Sequence, residues 1–344
     1  MSRRRATFAG GLVVALVVVL WGTRGADAGT NNDRGGVATL LLQRARNAAA
    51  SHEFEGTVVI EWRDGSGKHV TTVAVKMNGG VLRMGDGRFV SAGTRRLLRT
   101  NAGWKLLWTG GAKGAEPDPT TKYRFVVARP ATVAHRRATE VQVGRAGTKG
   151  VLELLFFDDA TGMLLRRDQL DARGKLQHRF AFVKMSEPRA VDGSKADKVP
   201  NVDAQSRANA PHPLTGVPDA LRAPKRVGKS FVLTGVYSQP DGSVQLYYSD
   251  GLLGLSMFER EGDLAWDSLP AGGRVVKVGG VRAKVYATAV GTAIVWGHDD
   301  VTYTCVTDAP MDDVTAVVSD FSRDESTDVV QDVGRFVTAP FSWH

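Results

Sequence analysis

Cysteine is almost absent from this chain: Cys305 is the only one. No intrachain disulfide can form, so the fold must stand on its core. Cys305 lies in a β-like run, Val301-Thr-Tyr-Thr-Cys-Val306, where a lone thiol reads as buried and inert. Long apolar runs are as scarce. Beyond the first residues none is long enough to cross a bilayer, which takes roughly 20 apolar residues. Catalytic signatures are missing too, with no G-x-S-x-G and no H-E-x-x-H. Gly228-Lys-Ser230 looks like the end of a phosphate loop, but Ala223 stands where the loop's first Gly belongs. The seven histidines are scattered, and His298-Asp-Asp300 reads as a polar turn rather than a metal site. Asp158 and Asp159 are paired carboxylates, yet they precede Thr-Gly, where Asp serves a turn. No catalytic residue, metal ligand or cofactor is assigned.

What is present begins with a targeting segment. Arg3, Arg4 and Arg5 precede an apolar run from Gly11 to Trp21, and Ala26-Asp-Ala28 offers a cleavage site. Residues 1–28 read as a signal peptide, or as an N-terminal anchor if left uncleaved. The expected location is extracytoplasmic, in the periplasm or cell envelope. The whole chain carries +9, and loss of residues 1–28, with four Arg and one Asp, leaves +6. A basic exported surface favours acidic partners such as anionic lipid, an acidic peptide or envelope polymer, and disfavours nucleic acid.

The expected fold class is α+β, mostly antiparallel β. Val37–Ala50 is rich in helix formers and sets Val37, Leu41, Ala45 and Ala48 on one stripe, with Asn31, Asn32 or Asp33 as cap. Strands are expected at Glu55–Trp62, His69–Met77, Val81–Met84, Arg88–Ala92, Arg95–Thr100, Gly103–Thr109 and Thr139–Val143. The block Val151–Met185 reads as three more, joined at Asp158-Asp-Ala-Thr-Gly162 and Asp171-Ala-Arg-Gly174, with one face apolar and one in water. Hairpin-length turns imply an antiparallel sheet without βαβ winding. Ser186–Pro224 holds six prolines and reads as a linker or extended strap. A second set of strands follows from Val227, ending in a helix at Pro310–Phe321 whose Asp312 and Asp313 suit the positive end of the helix dipole.

One constellation carries a functional reading. Val58, Ile60, Trp62, Trp104, Leu106, Trp108, Leu152, Leu154 and Phe156 are candidates for an aromatic and aliphatic strand face. They are either ordinary core beneath the first helix or the lining of a curved sheet too large for one helix to fill. The second case leaves an apolar site for an acyl chain.

Several ordered pieces of the chain resemble the MucB/RseB family of exported sigma-factor regulatory proteins. They are Phe54-Glu-Gly-Thr-Val58 after the first helix, Arg95–Trp108, Ala128-Arg-Pro-Ala131 with the run to Val143, and Leu155-Phe-Phe-Asp-Asp-Ala-Thr-Gly-Met-Leu-Leu-Arg166. Gln169-Leu-Asp-Ala-Arg-Gly174, Phe180-Ala-Phe182, Leu246-Tyr-Tyr-Ser-Asp-Gly-Leu252 and the Pro310–Phe321 helix continue the series. The resemblance implies a LolA-like half-open β-barrel with capping helices over residues 36–186 and a linker at 187–224. It also implies a smaller antiparallel-sheet domain with a C-terminal helix at 225–321; the tail at 322–344 has little pattern and reads as flexible. It further implies a non-enzymatic protein that binds the extracytoplasmic segment of an anti-sigma factor and modulates its proteolysis in response to acyl lipid or lipoprotein. Such a protein sits peripherally at the membrane or is anchored there by its N-terminus. Two other readings stay open: a LolA-like lipid or lipoprotein carrier, and an envelope hydrolase. The signal region, the Gly110–Thr121 loop and the proline-containing linker depart from the family pattern.

Overall fold

The computed structural model describes residues 33–85, 87–92, 95–100, 103–109, 117–191, 197–202, 204, 211–289 and 291–323. The expected signal segment, the caps Asn31 and Asn32 and nearly all of the tail lie outside the described residues.

A helix, α1 (Asp33–Ser51), leads into the first sheet. That sheet contains β1 (His52–Asp64), β2 (Gly67–Asn78), β3 (Val81–Met84), β4 (Phe89–Ala92), β5 (Arg95–Thr100) and β6 (Gly103–Thr109). It continues with β7 (Tyr123–Val133), β8 (Arg136–Arg145), β9 (Glu153–Asp158), β10 (Leu164–Leu170), β11 (Leu176–Met185) and the short β12 (Arg189–Ala190). Their order is β6-β5-β4-β3-β2-β1-β11-β10-β9-β8-β7, with β12 beside β1, and the strand pairs are antiparallel. The sheet curls strongly. β11 and β7 stand four places apart, about 19 Å in a flat sheet, yet they approach within 8 Å between Cα atoms.

Turn chemistry explains the local connections. Asp158 accepts from the Thr161 amide and hydroxyl, and Gly162 takes φ +80°. Arg136 grips the same carboxylate through two bonds of 3.0 Å, so Asp158 is a structural brace. At the next turn Asp171 accepts from the amides of Arg173 and Lys175, and Gly174 takes φ +74°.

β7 is the strand the pattern did not announce. Pro130 interrupts its alternation, and proline is confined to edges and bulges because it lacks a ladder donor. Both conditions are met: β7 is an edge strand, and its register against β8 shifts between Val127 and Pro130. The proline-containing segment behaves as a strap over its described parts. Asp197 accepts from Asn78 and Arg83, while Val202 buries against Val81, Val90 and Leu97.

The second sheet holds β13 (His212–Pro213), β14 (Arg226–Val227), β15 (Phe231–Ser238), β16 (Val244–Ser249) and β17 (Gly254–Glu261). It is completed by β18 (Arg274–Val278), β19 (Val281–Thr288), β20 (Gly291–His298) and β21 (Val301–Thr307), again antiparallel. The order is β13-β15-β16-β17-β21-β20-β19-β18, with β14 beside β15. One helix, α2 (Met311–Phe321), buries Val314, Val317, Val318 and Phe321 at i, i+3, i+4 and i+7. The Phe321 ring meets Tyr248 and Tyr303, and Tyr303 stacks on Trp296 at 5.1 Å. Cys305 is buried in this core, and loss of hydration pushes its thiol far above the usual range. His298 and the two aspartates do form a turn, with Asp299 and Asp300 at positive φ.

Candidate functional site

Register fixes which side chains share a face, because residues directly opposite in an antiparallel pair point the same way. One row crosses the first sheet through Val141, Leu155, Arg167, Phe180 and Ile60. The adjacent row runs through Val143, Glu153, Gln169, His178, Trp62 and His69. The first row is apolar apart from Arg167. The second is a polar rim that ends on two aromatic rings, with Trp62 stacked on His69 at 5.2 Å.

The candidate face divides along these rows. Val58, Ile60 and Trp62 share one face with Val75, Met77, Phe180 and Phe182, where Val58 is fully buried and Trp62 half-buried. Leu154 and Phe156 take the alternate positions of β9, yet both join the apolar cluster that holds Val58, Ile60 and Trp62. Phe156 pairs with Arg166, Arg166 with Ala181, and Ala181 with Val59. The Phe156 ring lies 4.6 Å beneath the Arg166 guanidinium. Leu152 packs toward the second domain, and Trp104 packs with Val81 and Leu97. The side chains of Leu106 and Trp108 lie outside the described residues.

The polar rim is where the second domain docks. Arg167 is the centre, with its side chain only 6% exposed. It donates to both Glu153 carboxylate oxygens and lies 2.9 Å from the Asp308 carboxylate of the second domain. Gln169 donates to the Asp308 carbonyl at 3.0 Å. His178 Nε2 donates to the Ala289 carbonyl at 2.6 Å, so its proton sits on that nitrogen. Burial pushes the His178 imidazole down to about 4, which keeps it neutral. Further bonds tie the domains at a second place: Tyr123 to Asp250, Lys122 to the Ser230 carbonyl and Arg145 to Asp313. Burial raises the Tyr123 phenol well above its usual value, and Asp250 adds to the rise.

Between these ties lies a cleft of about 380 Å³. Trp62, Leu152, Gln169, Leu170 and His178 form its wall on the first domain. Leu252, Leu253, Ala287, Thr292 and Met311 form the opposite wall. Such a mixture of apolar floor and discrete polar groups suits a peptide or an amphiphile.

The reading of strand faces as one apolar and one wet needs correction here. Arg167, Gln169 and His178 belong to the face that carries Ile60 and Phe180, and they are retained there because the second domain supplies their partners. Periodicity could not reveal this, since Asp308 lies far along the chain. The one available signal was the Arg166-Arg167-Asp168 triplet inside a strand. Asp168, on the opposite face, takes two bonds from Arg179 at 2.7 and 2.8 Å and also pairs with Arg166.

A serine, a histidine and an aspartate do meet in one place. Ser66 Oγ lies 3.1 Å from His69 Nε2, and Asp64 Oδ1 lies 2.9 Å from that same nitrogen. A nucleophile, base and orienter need opposite ring nitrogens, and an oxyanion site beside them. Asp64 instead accepts the Ser66 and Gly67 amides of an exposed hairpin turn. No group of three or more metal-ligating side chains occurs among the described residues.

No family profile and no curated protein match this chain. It is similar to solved structures of MucB. In the Pseudomonas aeruginosa MucA/MucB complex the identity is 20% over 83% of this chain and 98% of that one, with a TM-score of 0.45. A crystal structure of MucB gives 20% identity over 83% and 97%, again with a TM-score of 0.45. A LolA-superfamily protein of Nitrosomonas europaea covers 47% of this chain and 97% of its own, at 10% identity and a TM-score of 0.22. No residue role is transferred from these likenesses.

Proposed function

We propose that this chain is an exported, non-catalytic regulatory binding protein whose interdomain cleft takes an extracytoplasmic segment of an anti-sigma factor. One observation carries the reading. Three of the pieces that resemble the MucB/RseB family, Gln169–Gly174, Leu246–Leu252 and the Pro310–Phe321 helix, reach the walls of this cleft. Gln169 and Leu170, from the Gln169–Gly174 piece, form one wall, while Leu252, from the Tyr-Ser-Asp-Gly-Leu piece, stands on the other. Asp250 of that second piece takes the Tyr123 hydroxyl at 2.5 Å. Two of the similar solved structures hold MucB in complex with MucA.

Lipid enters through Trp62. This side chain belongs to the apolar face of Val58 and Ile60 and also to the cleft wall. Val58 and Ile60 are closed off in the core, so an acyl chain would enter only at the cleft, where it meets the indole that the peptide uses and the two ligands compete. Competition of this kind requires each ligand to disfavour the state that binds the other, and roughly 1–3 kcal/mol of coupling suffices for signalling. The buried Arg167 tie makes the junction two-sided, so a ligand that moves either domain changes both walls.

Capture from detergent-solubilised envelope, followed by mass spectrometry of peptides and lipids, tests the proposal. The wild-type chain is expected to recover a membrane-spanning anti-sigma factor. Ala172→Trp, which fills the cleft mouth from an exposed turn position, is expected to lose it. Recovery of lipid with no anti-sigma peptide would replace the regulator by a carrier.

A further inference from the structure

The second domain carries a cationic face that the cleft does not use. Between Asp267 and Asp299 the chain has no carboxylate, while Arg274, Lys277, Arg282 and Lys284 fall within that stretch. Register gathers three of them. Lys277 pairs with Arg282 across β18 and β19, and Lys284 pairs with Val275 on the same face. The row from Lys284 continues through Val295 and Thr304 to Phe258, and Arg260 is two residues further along β17. This is the face away from α2. The alternate residues Ala283 and Trp296 point to the helix side, into the core with Phe321.

These cations make no ion pair with a carboxylate among the described residues. They are held by other means. The Arg282 guanidinium lies 4.2 Å above the Trp266 ring. Lys284 donates to the Pro270 carbonyl at 2.8 Å and sits over Tyr286. Their charge is positioned without being neutralised. Val275, 49% exposed, stands among them on the outermost strand. Fixed cations, a protruding aliphatic side chain, and Trp and Tyr together make the composition of a bilayer interface. An acidic peptide would need a groove or a matched register, whereas the exposed part of this face is a convex edge of Val275, Lys277 and Arg282 beside the covering Trp266–Pro270 segment.

We propose that the outer face of β18 and β19 docks on an anionic phospholipid surface. Arg282 and Thr288 are six residues apart on β19, about 20 Å at 3.3 Å per residue, so the cleft beside Thr288 stays open when the face is seated. The membrane would then hold the protein where a membrane-spanning partner emerges, independently of any N-terminal anchor.

Vesicle co-sedimentation of the full chain tests this. Phosphatidylcholine vesicles are compared with vesicles that also contain phosphatidylglycerol, at low and high salt. Any insertion by the N-terminal apolar run is common to all arms, so the readout is the anionic increment. Wild type is expected to show an increment that high salt abolishes. Lys277→Glu/Arg282→Glu/Lys284→Glu is expected to weaken it about tenfold or more. The charge-conserving Lys277→Arg/Arg282→Lys/Lys284→Arg is expected to retain it, and so is Arg173→Glu/Lys175→Glu on the first domain. Circular dichroism confirms that each variant is folded. No anionic increment for wild type, or an unchanged one in the charge-reversed variant, overturns the proposal. A reversed variant that keeps vesicle binding but loses a poly-glutamate peptide also overturns it, and assigns the face to an acidic peptide. Peptide capture by the cleft is expected to survive charge reversal, so failure here is distinguishable from failure of the regulator reading.

Discussion

The two sheets solve the same problem differently. The second sheet is covered by a helix whose apolar side matches it, and the space between fills with Trp296, Tyr303, Tyr248 and Phe321. The first is longer and curls, and its single helix divides its contacts: Leu41, Leu42 and Ala45 join the core shared by the two sheets, and Ala48 joins the core of Val58 and Ile60. What remains uncovered at its rim is closed by polar groups that need the second domain. The two cores run together where Tyr123, Phe125, Val141, Val143, Leu155 and Phe157 of the first sheet meet the second, and the polar rim beside them makes the junction a place where ligands can act.

The sharpest break in this comparison comes from the second core. Phe321→Ala is expected to cost about 4 kcal/mol, because an aromatic truncation in a closed core leaves a cavity. Denaturant unfolding of variant against wild type measures it. A loss below about 1 kcal/mol would mean that α2 is not the lid of that core.

Next comes the junction. Arg167→Met leaves Glu153 and Asp308 buried without their cation and is expected to cost about 3 kcal/mol. Replacing all three by apolar residues should restore stability, since a buried ion cluster is often worth no more than a packed apolar one. The triple variant is expected to keep one transition in calorimetry, because the apolar core shared by the two sheets also couples them. Two separate transitions would show that the Arg167 cluster alone couples them.

Acid and base should separate the two regions. His178 titrates near 6.5 when unfolded but is pushed down to about 4 by burial at the junction. Between these values the unfolded chain binds more protons, so this stabilising contribution is full above pH 6.5 and is lost as pH falls toward 4. Glu259 is the reverse. Burial in the second domain raises it from 4.5 to about 7, against the Arg222 amide that donates to it at 3.0 Å. Its contribution is full below pH 4.5 and is lost as pH rises through 7. Each is worth up to about 3 kcal/mol across its window. Stability against pH for His178→Gln should lose the acid slope, and Glu259→Gln the alkaline one. Slopes that survive substitution would assign the titrations to other groups.

The smallest effect lies on the outer surface. Lys68→Met removes the 2.9 Å pair with Glu61, but Lys68 is half exposed, so a change under about 1 kcal/mol is expected. A larger loss would mean that the outer face of the first sheet carries more of its stability than the account allows.

Legibility in the sequence followed the same division. The second domain was nearly transparent: strands follow from Val227 as expected, and α2 starts one residue after Pro310. Its strands alternate, and its turns carry Pro-Asp-Gly or Asp-Gly. In the first domain the hairpins were legible, but β7 was hidden by Pro130. Whether Val58 and Phe156 share a face was not legible, because facing depends on register: Ile60 stands opposite Phe180, Phe180 opposite Arg167 and Arg167 opposite Leu155, which sets Phe156 one residue off that row. The junction was hidden for a different reason. Arg167 is explained only by Asp308, whose place beside it is decided by how two separate sheets dock.

Amide hydrogen exchange with and without the extracytoplasmic segment of the captured anti-sigma factor addresses the cleft most directly. Added protection is expected on both walls at once, around Trp62 and residues 169–178 on one side, and around Leu252, Ala287 and residues 308–312 on the other. Protection confined to a single domain, or to strands away from the junction, would contradict the two-walled site.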